Sequence, residues 1–313
     1  MSMKIIILVR VVTAMFVAFL LIPPVTHGQV FVANFGGNSI TEFDSSGNTT
    51  TFASGGLLNG PSALAFDGSG NLYVANYYNN NIVKYTPAGV GSIYASAGLN
   101  NPTGLAFDGS GNLFAVNSAD TNLVAQAGGT IVKFDSVALG LLYASGLNHP
   151  YSVAFDNSGN LYVSENTGNA IDKYSPNGQG SVFASSGNLL NNPNLNGPWG
   201  LAFSGGNLYV ANYTDNSIGE FNSSGFGTIF AASGLDRPSG LAFDGLGNLF
   251  VANYGNNTIE MFNSSGVGSV FATGGLNEPI AIAIAESPVP EPANWSLLVM
   301  GAAVLYGACY RKS

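Results

Sequence analysis

The chain has 313 residues, only 8% of them charged, and a formal net charge of −9 at pH 7. Between Gln29 and Ser287 there are sixteen acidic and four basic side chains, a balance that repels phosphate backbones and disfavours a nucleic-acid partner. The one cysteine, Cys309, lies near the C-terminus, so the central part has no disulfide and no thiol nucleophile. Short polar clusters between apolar runs predict short strands and turns.

Residues 1–28 have the parts of a secretory signal peptide. Lys4 and Arg10 give a positive front, and residues 11–22 form an apolar run that is too short for an ordinary membrane span. Small residues precede the cut that we expect after Gly28. The sequence therefore predicts an exported protein whose mature chain starts near Gln29, with a retained membrane anchor as the alternative.

A repeated unit fills residues 29–287. Each unit predicts four short strands, a to d, which in the first complete unit are residues 63–66, 72–75, 82–85 and 92–95. Asp67 to Asn71 has the composition of a tight a–b turn. Each unit opens on a proline, and these prolines follow one another at 41, 48, 48, 40 and 41 residues: Pro61, Pro102, Pro150, Pro198, Pro238 and Pro279. Periods of about 40 residues indicate a propeller or a solenoid.

The two ends of the repeat region supply one further blade. Residues 30–34, 39–43 and 49–53 match strands b, c and d, but no strand a precedes them. Residues 280–285 match a strand a, and no strand b follows. We therefore predict an all-β fold, a six-bladed β-propeller of four-stranded antiparallel blades that is closed by pairing of the N- and C-terminal strands.

The repeat resembles the NHL family of propellers. The shared features are a Pro-x-Gly opening, as in Pro102-Thr103-Gly104, a Gly-Asn-Leu-Tyr/Phe-Val core and an Asn-x-Ile later in the blade. The resemblance implies the fold alone, since such propellers include scaffolds, binding modules and some enzymes. The family usually has Asp after strand b, where this chain has Glu165 once and otherwise asparagine: Asn34, Asn76, Asn117, Asn212 and Asn253.

Residues 288–313 form a separable tail. It contains Pro290, Glu291 and Pro292, then an apolar stretch at residues 295–310, then two basic residues. This order resembles the PEP-CTERM sorting signal of Gram-negative bacteria. The resemblance implies an exosortase-type sorting enzyme as partner, a membrane stage before processing, and a setting of exopolysaccharide production at the cell surface. A simple membrane anchor is the alternative, and both readings place the propeller outside the cytoplasm.

Candidate binding residues gather at one end of the ring, which we call the top face because the b–c and d–a loops meet there. The two 48-residue intervals between recurring prolines are longer than the others because of loops on this face, residues 117–129 and 187–196. The residues that follow the recurring prolines are expected near its opening: Ser62, Thr103, Tyr151, Trp199, Ser239 and Ile280. Tyr151 and Trp199 are bulky and come from neighbouring blades.

Around Trp199 we expect Glu165, Asn212, Tyr213 and His149. Flat aromatic faces beside amide and carboxylate groups suit sugar rings, which offer apolar faces and hydroxyl edges. The sequence therefore predicts that Trp199, Tyr151, Glu165, Asn212 and Tyr213 bind an extracellular glycan or another surface partner. The alternative is that Trp199 only plugs the axial channel.

Few side chains are available for catalysis. Residues 29–287 contain one histidine, His149, and no cysteine, which excludes a three-histidine zinc site and a Cys–His nucleophile there. We predict no catalytic residue, no metal and no cofactor. One alternative is a gluconolactonase-like hydrolase, a fold-level resemblance that implies a divalent ion held by oxygen ligands in the axial channel. Another is a purely structural surface protein.

Overall fold

The computed structural model describes residues 28–118, 129–186 and 195–285. Within these ranges all regular structure is β-strand. The predicted signal segment before Gly28, the predicted sorting tail and most of both long top loops lie outside the described residues. No helix in the described part of the chain has the length and hydropathy of a membrane span.

Twenty-four strands, β1 to β24, occupy the four positions of the repeat. The innermost strands (position a) are β4 Pro61–Phe66, β8 Pro102–Phe107, β12 Pro150–Phe155, β16 Pro198–Ser204, β20 Pro238–Phe243 and β24 Pro279–Ala285. Position b holds β1 Gln29–Asn34, β5 Leu72–Asn76, β9 Leu113–Asn117, β13 Leu161–Glu165, β17 Asn207–Asn212 and β21 Leu249–Asn253. Position c holds β2 Ser39–Phe43, β6 Asn81–Tyr85, β10 Gly129–Phe134, β14 Ala170–Tyr174, β18 Ser217–Phe221 and β22 Thr258–Phe262. The outermost strands (position d) are β3 Thr49–Ser54, β7 Gly91–Ala95, β11 Gly140–Leu147, β15 Gly180–Ser185, β19 Gly227–Ala231 and β23 Gly268–Ala272.

These strands form six four-stranded antiparallel sheets, which confirms the predicted six-bladed propeller. Blade 1 consists of β24, β1, β2 and β3, and blades 2 to 6 follow in chain order. In blade 1, Val30 pairs with Ile284 and Val32 with Ile282, so the two ends of the chain close the ring as predicted. Each innermost strand also contacts the innermost strands of both neighbouring blades.

Burial follows the position of a strand in its blade. The b strands are buried along most of their length because a neighbouring blade packs on each of their faces. The d strands are largely exposed at the outer edge. Aromatic rings fill the space between blades, as where Phe107 of blade 3 lies 5.0 Å from Tyr73 of blade 2 in an edge-to-face contact.

The innermost strands begin two residues earlier than the sequence predicts, at the recurring prolines. A proline is tolerated at the first residue of a strand because it need not donate to the ladder there. The Pro-x-Gly opening reflects close approach between blades: a Cβ added to Gly200 would meet the backbone oxygen of Ser239 at 2.0 Å, and one added to Gly104 would meet that of Tyr151 at 2.8 Å. Glycine at this position therefore lets the inner strands converge on the axis.

The a–b turns at the opposite end, the bottom face, are held by aspartate. The Oδ1 atom of Asp67 accepts hydrogen bonds from the backbone N–H groups of Ser69 and Asn71, each at 2.9 Å. Partial burial raises the pKa of Asp67, but the side-chain amide of Asn71, these two backbone bonds and Lys84 together hold it below its usual value. Asp108, Asp156 and Asp244 repeat the arrangement. The recurring acids are therefore turn residues, as their recurrence suggested.

Candidate functional site

A cavity of about 230 Å³ lies at the top opening of the axial channel. Three non-aromatic residues from strand a, Ser62, Thr103 and Ile280, contribute to its lining. The other residues of the lining are aromatic: Phe35, Tyr77, Tyr78, Tyr151, Trp199, Tyr213 and Tyr254. We call this space the aromatic cavity.

One wall of the aromatic cavity is a stack of three rings. The centroid of the Trp199 ring lies 4.1 Å from that of Tyr151 and 4.4 Å from that of Tyr213. The interplanar angles are 39° and 35°, so each tyrosine ring lies tilted against the indole. Tyr254 continues the wall at 6.1 Å from Tyr213. Trp199 is thus the centre of the wall, and all four rings of the wall are partly exposed.

The opposite wall consists of Phe35, Tyr77 and Tyr78. Their ring centroids lie 5.2 to 5.9 Å apart in edge-to-face and tilted contacts. Burial raises the pKa of the Tyr151 hydroxyl, and the Tyr77 and Tyr213 phenol groups raise it further. The Tyr151 hydroxyl therefore keeps its proton at neutral pH and can donate a hydrogen bond.

Four of these rings were not predicted from the sequence: Phe35, Tyr77, Tyr78 and Tyr254. A signal for them was present, because an aromatic residue directly follows the asparagine at the end of strand b in four of six blades. Tyr213, the fifth-blade example, was the only one included. Blade 3 has Ser118 at this position and blade 4 has Asn166, so the aromatic residues are not required by the repeat.

A second feature of the top face is a set of hydroxyl bonds between neighbouring blades. In three blades the hydroxyl of the residue after the proline donates to the proline carbonyl of the next blade: Ser62 to Pro102 at 2.6 Å, Thr103 to Pro150 at 3.1 Å and Ser239 to Pro279 at 3.0 Å. Tyr151 and Trp199 replace such short side chains. Where they meet, the buried Ser164 of strand b donates to the Trp199 carbonyl at 2.6 Å.

Asn212 and Glu165, which the sequence predicts to lie around Trp199, each bond to a linker between blades, and their part in binding stays a prediction. Asn212 is fully buried, and its Oδ1 atom accepts from the Asn196 N–H at 3.2 Å while its amide donates to Ser217. Glu165 is the blade-4 equivalent, and its Oε1 atom accepts from the Asn148 N–H at 3.0 Å. Neither side chain lines the aromatic cavity. Both hold the d–a loop that enters their own blade.

His149 also serves the linkers between blades. Its φ of 48° is in the left-handed region, and its Nδ1 atom lies 3.0 Å from the Thr167 hydroxyl. Residues at the same point of the other units share a positive φ: Gly60, Asn101, Gly197, Arg237 and Glu278. The histidine is therefore a variant of the linker, and it is exposed and absent from the lining of the cavity.

One acidic pair near blade 4 is unusual. Burial and then the nearby Glu165 carboxylate raise the pKa of Asp172 to about 6. Asp172 occupies the position in strand c that Thr41 and Glu260 occupy in blades 1 and 6. Burial also raises the pKa of Glu260. None of these carboxyl groups lines the aromatic cavity.

The axial channel below the cavity does not fit a metal held by carboxylates. Its volume is about 90 Å³, and the residues that line it are small, hydroxylated or apolar, such as Ala63, Gly104 and Leu241. Among residues 28–118, 129–186 and 195–285, no three His, Cys, Asp or Glu side chains are grouped as metal ligands would be. The described residues therefore give no support for the ion that the gluconolactonase-like alternative requires.

Comparisons with known proteins agree on the fold. No protein-family model and no curated protein sequence matches the chain. A solved nidogen/laminin complex contains a chain that matches with a TM-score of 0.69 and 18% identity, over 82% of this chain and 98% of that one.

Two lyase structures match at a similar level. Streptogramin B lyase matches with a TM-score of 0.61 and 18% identity, over 81% of this chain and 83% of that one. A catalytically inactive variant of virginiamycin B lyase from Staphylococcus aureus, with quinupristin, matches with a TM-score of 0.62 and 17% identity, over 85% and 92% of the two chains. At these identities the similarity shows what the sheet topology shows: the chain is a six-bladed β-propeller.

Proposed function

We propose that the protein is an exported, non-catalytic propeller that binds extracellular glycan through the aromatic cavity of its top face. The observation that carries this proposal is the concentration of seven aromatic side chains around one cavity. Aromatic rings pack on the apolar faces of sugar rings, and tyrosine hydroxyls can bond to their edges.

The way in which Trp199 is held supports binding over a simple plug. Two of the inter-blade hydroxyl positions carry Tyr151 and Trp199, and Ser164 supplies a bond to the Trp199 carbonyl instead. The cavity between the two aromatic walls is also open to solvent, and Tyr78 is 58% exposed. If these rings only plugged the channel, we would expect them to be fully buried, because apolar surface stabilises the fold only when it is removed from water.

Export and surface display are part of the proposal. Residues 1–28 resemble a signal peptide, and Pro290, Glu291 and Pro292 begin a tail that resembles an exosortase sorting signal. Both segments lie outside the described residues, so their support comes from sequence. A glycan partner fits the exopolysaccharide setting that the tail implies, and a surface protein is the alternative partner.

The test is a glycan array on the purified protein, followed by calorimetry with the glycans that bind. Truncating an aromatic anchor costs about 2 kcal/mol of binding, or roughly thirtyfold in Kd, so we expect that loss for Trp199→Ala. Tyr77→Ser is a gentler variant because blade 3 already has serine there. Phe226→Ala is the matched control, since Phe226 is an exposed aromatic residue in a bottom-face turn.

Three outcomes would count against the proposal. Binding that survives both Trp199→Ala and Tyr77→Ser would remove the cavity as the site. A stoichiometric divalent ion that is lost on Glu165→Gln, together with hydrolase activity, would favour the lactonase-like enzyme. The absence of binding to every glycan and surface fraction tested would leave a purely structural role.

A further inference from the structure

The space below the aromatic cavity is smaller than the cavity itself. It has a volume of about 90 Å³ and is lined by residues of all six innermost strands, such as Ala63, Gly104 and Leu241. Neighbouring inner strands pack closely there, since a Cβ added to Gly240 would meet the Ala281 Cα at 2.7 Å. We therefore expect a sugar ring to enter and leave the aromatic cavity by its top opening.

The cavity is also small. Pockets that enclose a drug-sized molecule measure roughly 300–1,000 Å³, whereas this one measures about 230 Å³. The two aromatic walls, centred on Trp199 and Tyr77, bound the space between them. There is room for about one sugar ring, and the rest of a longer chain would remain in solvent.

The lining of the cavity carries no formal charge. The charges near its rim are mixed: burial and then the Glu278 carboxylate raise the pKa of Tyr254, and Arg237 opposes that effect. A carboxylate that entered the cavity would lose hydration without a cationic partner among the lining residues, which is costly. Neutral hydroxyls can instead bond to the tyrosine hydroxyls.

Resting on the proposed glycan-binding function, we propose that the aromatic cavity binds a single, uncharged sugar ring at the end of a glycan chain. The protein would therefore recognise chain ends and not the interior of a polysaccharide. Binding to chain ends gives one protein molecule per end, whatever the length of the chain. It also discriminates against uronic acids, whose carboxylate would enter an uncharged cavity.

The experiment measures affinity and stoichiometry with neutral gluco-, manno- and galacto-oligosaccharides from disaccharide to hexasaccharide, and with oligogalacturonides as the acidic series. In the neutral series that binds, we expect Kd to vary by no more than about threefold with length, at one protein per chain. We expect Tyr77→Ser to weaken every length by a similar factor of about tenfold. Phe226→Ala should leave the whole series unchanged.

The outcomes separate this inference from the proposed function. Affinity that rises with each added sugar, or several proteins bound per chain, would overturn end recognition while glycan binding stands. Oligogalacturonides that bind as well as the neutral series would overturn the requirement for an uncharged ring. If no neutral oligosaccharide binds although polysaccharide does, end recognition is again wrong. If no glycan of any kind binds, the proposed function itself fails.

Discussion

Replacing Asn76 by aspartate tests why this chain departs from the NHL pattern after strand b. Asn76 is fully buried, and its Oδ1 atom accepts from the Asn59 N–H at 3.0 Å. Its amide nitrogen donates to the Leu57 carbonyl at 3.0 Å and to Asn81 Oδ1 at 2.8 Å. An ionised carboxylate can replace the acceptor but neither donated bond.

The expected cost follows from those two lost bonds. A buried acceptor left without its donor costs about 1–3 kcal/mol, and the bond to Asn81 contributes about 1 kcal/mol more. We therefore expect Asn76→Asp to destabilise the protein by about 3 kcal/mol. For a domain of this size that change lowers Tm by about 6–12 °C. Burial raises the pKa of the introduced carboxyl, so the loss should shrink as pH falls and the protonated group regains a donor.

Asn263→Asp is the matched control for this experiment. Asn263 is exposed, and its Oδ1 atom accepts from the Ser265 and Val267 N–H groups at 2.9 and 3.1 Å. Asp44 and Asp135 make the same pair of bonds in the corresponding turns of other blades. Thermal unfolding should therefore show little change for Asn263→Asp. Equal melting temperatures for the two variants would refute the account of the asparagine network.

Three further predictions concern closure, pH and processing. Deleting residues 278–285 removes the innermost strand of blade 1, and we expect a loss of several kcal/mol, comparable to the whole margin of stability, so that an unchanged thermal midpoint would contradict ring closure. Burial raises the pKa of Asp172 to about 6, so the contribution of Asp172 to stability falls as pH rises from about 4 to 6. In Asp172→Asn the free energy of unfolding should therefore depend less on pH over that range, and an unchanged pH dependence would contradict this. Intact-mass measurement on native protein should show a start near Gln29 and loss of the tail, and a mass that retains Met1 and Ser313 would rule this out.

The fold could be predicted from the sequence because the same pattern of four strands and their turns recurs in every unit of the repeat. The first unit lacks a strand a before Val30, and residues 280–285 supply one. Counting the strands of the units therefore predicts that the ring closes through this pair. The observed strand limits differ from the predicted ones mainly at the recurring prolines, where Pro61 and its equivalents begin strand a. That difference reflects a bulge in the ladder, which hydrophobic alternation does not reveal.

The candidate site was only partly predictable. Tyr151, Trp199 and Tyr213 do meet, because the residues after the prolines and after strand b converge on one opening. Phe35 and Tyr254 are far apart in sequence, and closure of the ring brings them to the same cavity. The direction in which Asn212 and Glu165 point could not be deduced, since the same amide or carboxyl could face a ligand or the d–a loop.

The most direct test of the central claim uses Trp199 as a reporter. It is the only tryptophan between Gln29 and Ser287, and a Trp295→Phe variant of the full chain leaves it as the only one. The experiment titrates the neutral oligosaccharide that binds most tightly and follows the indole emission. We predict a saturable change whose midpoint equals the Kd from calorimetry, because the ligand lies against the wall that Trp199 centres. Calorimetric binding without a change in emission would place the ligand elsewhere and contradict the proposed site.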